Sequence, residues 1–411
     1  MEICQGIDQI AQDDWNSLLI QSNEGFLHPA LRHEFLFAME SCGAVSAQTG
    51  WGPVHLKLSG DDGHVRAAMP LYIKSHSYGE YVFDWAWAQA YERNGLRYYP
   101  KLLSAIPFTP VKAPKLLARD PASANHMAVG FSQLAKNCGA DKTILGTTVS
   151  SAHALFLSEQ DQAYLLGNFG DSEKSDSSPL HIELDSRYCV QFHLENRSPV
   201  TGEKFETFED YLQSLNQKKR KNIKAERRKA MDSGVTIQRI VGDQATDEHI
   251  EFFFHCYVQT YHEHMSTPYL NLEFFRTICK TMGSQVLIVQ ASLGNQPVAS
   301  SLLLFNGDRL YGRYWGAIEK IPFLHFELCY YQAIEFLIER GINWFEGGAQ
   351  GEHKMARGLN PVNNISAHWV HDEGFKEPIR RFLEREKSHL QNYIGELEEH
   401  TAFKATALQS L

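Results

Sequence analysis

A weak internal repeat constrains this chain more than any other feature. Pro29-Ala30-Leu31-Arg32-His33-Glu34-Phe35-Leu36 has a counterpart 239 residues on, Pro268-Tyr269-Leu270-Asn271-Leu272-Glu273-Phe274-Phe275. Leu56-Lys57-Leu58-Ser59, a glycine turn and residues 65–72 then match Val289-Gln290-Ala291-Ser292, a turn and residues 298–305. The aromatic runs Tyr81-Val82-Phe83-Asp84-Trp85 and Tyr311-Gly312-Arg313-Tyr314-Trp315 follow. Segments in one order with a slowly drifting offset are what duplication of a unit leaves behind.

Each copy has the same grammar. A helix with proline at its start leads to an apolar strand, a turn joins it to a second strand as a hairpin, and an aromatic strand follows. Next comes an amphipathic helix, clearest over 325–340. There Phe326, Tyr330, Ala333, Ile334, Leu337 and Ile338 fall at helical spacing, and Gly341 ends it. A short strand, 342–346, closes the unit. The first copy ends alike, with a helix through Ala135, then Cys138-Gly139 and the strand Thr143-Ile144-Leu145, and it carries an extra stretch near 90–118. Residues 167–179 are polar and turn-rich, which reads as a linker between domains 1–179 and 180–411. Residues 378–399 form one more amphipathic helix.

Charge narrows the function classes. The chain has 39 Lys and Arg against 49 Asp and Glu, a net charge of −10, which excludes a general nucleic-acid coat but not a local basic patch. One such patch exists. Lys218, Lys219, Arg220, Lys221, Lys224, Arg227, Arg228 and Lys229 put eight cations in twelve residues. Helix-like spacing from Thr207 onward makes this one helix, suited to docking phosphates. No run of eighteen apolar residues and no basic N-terminal start is present, so neither a membrane span nor a secretory signal is expected. Seven scattered cysteines without a CxxC read as reduced thiols, and the expected compartment is the cytoplasm. His262-Glu263-His264 has no third ligand at metal spacing, so no metal is expected.

Several runs also resemble a family. They are Pro70-Leu71-Tyr72-Ile73-Lys74, Tyr98-Tyr99-Pro100-Lys101-Leu102, Pro107-Phe108-Thr109-Pro110-Val111, Lys218-Lys219-Arg220-Lys221, Tyr311-Gly312-Arg313-Tyr314-Trp315-Gly316 and Gly348-Ala349-Gln350-Gly351-Glu352-His353-Lys354. With the repeated grammar, they resemble tandem GNAT-like acyltransferases. The match is nearest to the bacterial FemAB-like N-acyltransferases of the peptidoglycan biosynthesis/recognition type. The resemblance implies a mixed α/β fold of two GNAT-like domains, each a twisted mixed sheet flanked by helices, plus a C-terminal helix. It implies acyl or aminoacyl transfer from a thioester or ester donor to an amine on an amino acid, peptide or cell-wall precursor. The second copy would be catalytic and the first would shape the acceptor groove. Acyl-CoA is one donor class, with no prosthetic group. The glycine-rich pyrophosphate loop usual in GNAT proteins is not found, because Glu319-Lys320-Ile321-Pro322-Phe323-Leu324-His325 stands in its place. That leaves room for an aminoacyl-tRNA-dependent ligase. A non-catalytic phosphate-binding or nucleic-acid-binding protein is the reading from another class.

Acyl transfer to an amine needs a base and a donor of hydrogen bonds to the carbonyl. The resemblance places the backbone donors near 313–316. The loop Gly347-Gly348-Ala349-Gln350-Gly351 ends a strand, where sites gather in open α/β sheets. The catalytic candidates are therefore Glu352 and His353, with Glu327 as reserve base and Tyr314. Donor or phosphate binding falls to Lys219, Lys221, Lys224, Arg228, Arg313 and His325, and acceptor binding to Asp84, Trp85, Lys354 and Arg357.

Overall fold

The two predicted hairpins form where their turn chemistry places them. In the computed structural model, residues 1–140, 145–167, 182–349, 351–399 and 401–404 are described. The chain divides into two compact units, one of residues 1–189 and 363–391, the other of 190–362 and 392–411. The chain thus passes to the second unit at Val190, and the C-terminal helix, expected in the second domain, belongs through Gln391 to the first. Of the expected linker only Gly167 is described; the rest of it, and Thr143 and Ile144 of the expected strand, lie outside the described residues.

The strands are β1 (Glu2–Cys4), β2 (Trp51–Pro53), β3 (His55–Ser59), β4 (Val65–Met69), β5 (Tyr72–Lys74), β6 (Lys101–Ser104), β7 (Leu117–Ala118) and β8 (Ser151–Ala154). They continue with β9 (Asp185–Glu195), β10 (Val235–Val241), β11 (Val286–Leu293), β12 (Gln296–Phe305), β13 (Arg309–Ala317), β14 (Trp344–Glu346) and β15 (Asn360–Val370). In the second unit the order is β10-β11-β12-β13-β14-β9, antiparallel throughout except for the parallel pair β13–β14. The first unit has β1-β3-β4-β7 and β2-β5-β6-β8-β15, with β6–β8 its parallel pair. Val54 bridges β2 and β3 and donates to the Leu71 carbonyl between β4 and β5, so each pair acts as one bent strand. Counted that way, the first unit repeats the second unit's strand order.

The aromatic run 81–85 is not the third strand. Residues 81–84 form a loop and Trp85 opens a helix, Trp85–Arg93. The strand role passes to β6, inside the stretch read as an insert. Aromatic residues favour strands in general, but tertiary pairing overrides so short a run. Here Lys101 at the head of β6 draws Asp84 inward.

The helices obey local rules more closely. Leu272–Met282 buries Phe274, Phe275, Ile278, Cys279 and Met282 on one face, and the Asn271 side chain caps it by accepting from the Phe274 N–H at 3.0 Å. Such a cap contributes about 1 kcal/mol. The single helix expected from Thr207 through the basic run is two helices, Phe208–Ser214 and Gln217–Met231, the second carrying the whole basic run, because Asn216 accepts from the Lys219 N–H and starts a second cap. The C-terminal helix runs Glu373–Glu398, with Pro378 tolerated near its start. No helix among the described residues is long and apolar enough to cross a membrane, and no disulfide forms among them.

Candidate functional site

In the second unit, β13 and β14 pair only over Arg309–Tyr311 and Trp344–Glu346, then diverge. A register shift between Leu302 and Leu303 makes Arg313 a bulge, since Leu302 faces Tyr314 while Leu303 faces Gly312. Bulges bend a strand and re-aim its side chains, often beside active sites. Gly316 fixes the far end of β13: a Cβ there would lie 1.9 Å from the Cys256 carbonyl oxygen, so helix Asp247–Glu263 packs directly on the strand. The divergence leaves a cavity of about 140 Å³. Gly312 to Trp315 line one side of it and Phe345 and Gly347 another.

A helix closes the third side. It begins at Leu324, one residue before the expected start, and runs to Glu339, with Glu327–Tyr331 forming a π turn within it. Such turns concentrate at functional sites. Tyr330 and Cys329 of the π turn, with His325 from the turn before it, line the cavity. Tyr330 Oη lies 3.0 Å from His353 Nε2, and His353 itself is exposed. This pair therefore runs from cavity to solvent. Gly351, at φ +100°, makes the turn possible, because a Cβ there would lie 2.4 Å from the His353 ring. Burial, then the His353, Arg357 and Lys354 charges, pushes the His325 pKa down to about 4. Burial, then Arg357 and Lys354, holds His353 below its ordinary value. Both rings are neutral at pH 7, which is the state a proton acceptor needs.

The structure brings together His353, His325, Tyr314 and Arg313. Tyr314 lines the cavity and packs on Tyr257, while Arg313 lies over the Tyr314 ring. Glu352 opens the 3-10 turn Glu352–Arg357, and its side chain lies outside the described residues.

Other candidates take different roles. Glu327 is fully buried and accepts from Nη2 and Nε of Arg227, at 2.8 and 3.0 Å, with Gln332 donating as well. A carboxylate so saturated anchors the π turn and is no reserve base; breaking such a pair costs about 3–5 kcal/mol. Arg357 is 3% exposed and satisfied by protein partners, so it does not meet an acceptor. Lys354 is buried beside the Phe192 ring, and burial lowers its pKa to about 8. Asp84 belongs to the first unit, where it accepts from Tyr98 at 2.7 Å and pairs with buried Lys101. Trp85 is exposed and packs on Tyr78. On the basic helix Lys224 pairs with Glu209 at 3.0 Å, while Lys218, Lys221, Arg228 and Lys229 are exposed and Lys219 half-buried.

Sequence reasoning missed two residues. Tyr330 looked like one more apolar helix position, and only the π turn reveals its orientation. Glu226 is the lone acid in Gln217–Met231, and that isolation was the available signal.

Two GNAT-like units in tandem, with a splayed parallel pair in the second, define a mixed α/β fold. A model of the FemAB-like family, described as peptidoglycan biosynthesis/recognition, matches residues 6–405, and the chain belongs to that family. Solved structures agree on the fold. FemX is similar at 12% identity, covering 92% of this chain and 100% of its own, with a TM-score of 0.50. L-PGS from Bacillus licheniformis is similar at 10% identity, with 91% and 95% covered and a TM-score of 0.51. The DUF2156 C-terminal domain of an Agrobacterium fabrum protein, carrying a provisional lysylphosphatidylglycerol synthetase name, is similar at 9% identity, with 88% and 92% covered and a TM-score of 0.50. No curated protein matches the chain.

Proposed function

We propose that this chain transfers an acyl or aminoacyl group from a thioester or ester donor to an amine, with the reaction centred on the splay between β13 and β14. The observation that carries the reading is the open cavity beside the Arg313 bulge with Tyr330 in its wall and His353 within hydrogen-bond reach of the Tyr330 hydroxyl. The donor carbonyl sits against the edge of β13, whose backbone donors favour the oxyanion over the planar carbonyl. The amine, in its neutral form, attacks the carbonyl carbon. Its extra proton passes to the Tyr330 hydroxyl oxygen as that hydroxyl gives its own proton to neutral His353. Collapse of the tetrahedral adduct breaks the bond to the leaving thiol or alcohol, and the same pair returns the proton to it. No covalent enzyme intermediate is needed.

Exposed cations on Gln217–Met231 favour a phosphate-bearing donor, either CoA or an aminoacyl-tRNA. The FemAB-like membership and the synthetase name of one structural neighbour support the aminoacyl class, with a peptidoglycan precursor or a lipid as acceptor. Native mass spectrometry of the purified chain tests the donor through a co-purified CoA species or tRNA. Failure to bind either, together with no transfer from acyl-CoA or aminoacyl-tRNA to any amine supplied, overturns the reading.

A further inference from the structure

Glu226 and Arg227 are neighbours on the basic helix, carry opposite charges, and each grips the opposite charge beside the splay. Arg227 holds Glu327 of the π turn. Glu226 accepts from Arg357 Nη2 at 2.6 Å and from the Tyr331 hydroxyl. Arg357 also donates Nε to Tyr331 Oη at 3.0 Å and Nη1 to the His353 carbonyl at 2.7 Å, and its plane sits 3.6 Å from the Phe326 ring centre. One buried guanidinium thus joins the basic helix, the π turn and the turn that bears His353.

We propose that Glu226 and Arg357 are positioning residues that fix the His353 turn and keep the Tyr330–His353 pair aligned with the cavity. This deepens the acyl-transfer reading and rests on it. The physical need is plain: His353 is exposed, on a 3-10 turn of six residues, and a ring so placed keeps one orientation only if its backbone is pinned. A charge-assisted bond to its carbonyl supplies the pin. Arg357 and Lys354 face the His353 ring from its own turn, Tyr330 and His325 from the helix, and Glu226 stands behind Arg357. The guanidinium therefore also tunes the ring, since a nearby cation disfavours imidazolium.

The test needs no substrate. In NMR of the full chain, with the His353 resonance assigned through His353→Gln, the wild-type imidazole titrates below its ordinary value. Arg357→Gln moves that midpoint upward, and that of His325 with it. Glu226→Gln shifts the His353 resonances at fixed pH although residue 226 touches neither ring. The double variant adds nothing beyond Arg357→Gln, because Glu226 acts through Arg357. An unmoved His353 midpoint in folded Arg357→Gln, or additive shifts in the double variant, overturns the proposal. Should Arg357→Gln not fold, Glu226→Gln decides alone: unshifted His353 resonances refute the coupling. Turnover of His353→Ala tests the transferase reading separately, so the two failures are distinguishable.

Discussion

The two units share a strand order but treat the point after the parallel pair in opposite ways. In the second, β13 and β14 part and leave a cavity. In the first, the corresponding gap after β6 and β8 is closed: Leu155 donates to the Ser104 carbonyl at 2.9 Å, and Ala113 pairs in parallel with Leu157. Buried Lys115 adds a seal by donating to the Ala113 and Phe156 carbonyls. At the other end of β6 the first unit invests in a buried polar knot, Lys101 with Glu80, Asp84 and Ser77, and the His153–His368 contact at 2.8 Å. The strand order is common to both copies, while the splay with its cavity is found in one copy. The first copy places its buried charge in this knot, while the second opens a cavity from which the Tyr330–His353 pair leads to solvent.

The largest effect expected from this contrast lies in the first unit. Lys101→Met leaves Glu80 and Asp84 buried without their cation, and loss of one partner from such a pair costs about 3–5 kcal/mol. Urea unfolding should show that loss, and restoring neutrality with Glu80→Gln and Asp84→Asn should recover part of it. Turnover per folded molecule should stay at the wild-type level. A Lys101→Met protein of full stability would mean that the knot is not structural.

In the second unit the pattern reverses. Tyr330→Phe and His353→Ala should each lower turnover by about 100-fold, the usual scale for a lost general base, with little change in unfolding midpoint. His353 is exposed, and Tyr330→Phe keeps the ring that lines the cavity. Wild-type turnover in both would move the chemistry away from the splay.

How much of this was legible follows from distance along the chain. The hairpins and the helix ending at Gly341 rest on local periodicity and turn residues, and they formed where expected. Glu327 could not be judged locally, because its partner Arg227 lies 100 residues away and converts a reserve base into an anchor. Arg357 looked like a ligand-binding cation for the same reason: the sequence does not show Glu226 beneath it. Asp84 looked like part of an aromatic strand until Lys101, 17 residues on, claimed its carboxylate. The gap between Ala113 and Leu157 in the first unit is likewise a long-range closure, so nothing in the repeat announced which copy would stay open.

A third prediction concerns pH. His353 must be neutral to accept the proton, and its folded value lies below the usual one, near 6.5 for an unperturbed imidazole. Turnover should therefore be on its plateau at pH 7 and fall only as pH drops below that ordinary value. Arg357→Gln should move the acid limb upward, toward neutrality. An acid limb already centred above pH 7 in the wild type would assign the proton acceptor to another group.

The smallest effects on stability belong to the basic helix. Lys219, Lys221 and Arg228 carry no carboxylate partner among the described residues, unlike Lys224 and Arg227. Changing these three to Glu should cost within about ±0.5 kcal/mol each, as expected away from buried features. The consequence should appear in binding instead. For a tRNA or CoA probe, each lost phosphate contact flattens the dependence of log affinity on log salt, by roughly 0.9 per contact for a duplex. Lys224→Glu places a like charge beside Glu209, but both side chains are half-exposed, so its effect on folding should also be small. Arg227→Glu differs in kind, since it puts a carboxylate against buried Glu327 and should unfold the π turn. If the triple Glu variant binds either probe with unchanged affinity and slope, the exposed cations only solvate the helix. The link from this helix to the splay would then run through Glu226 and Arg227 alone.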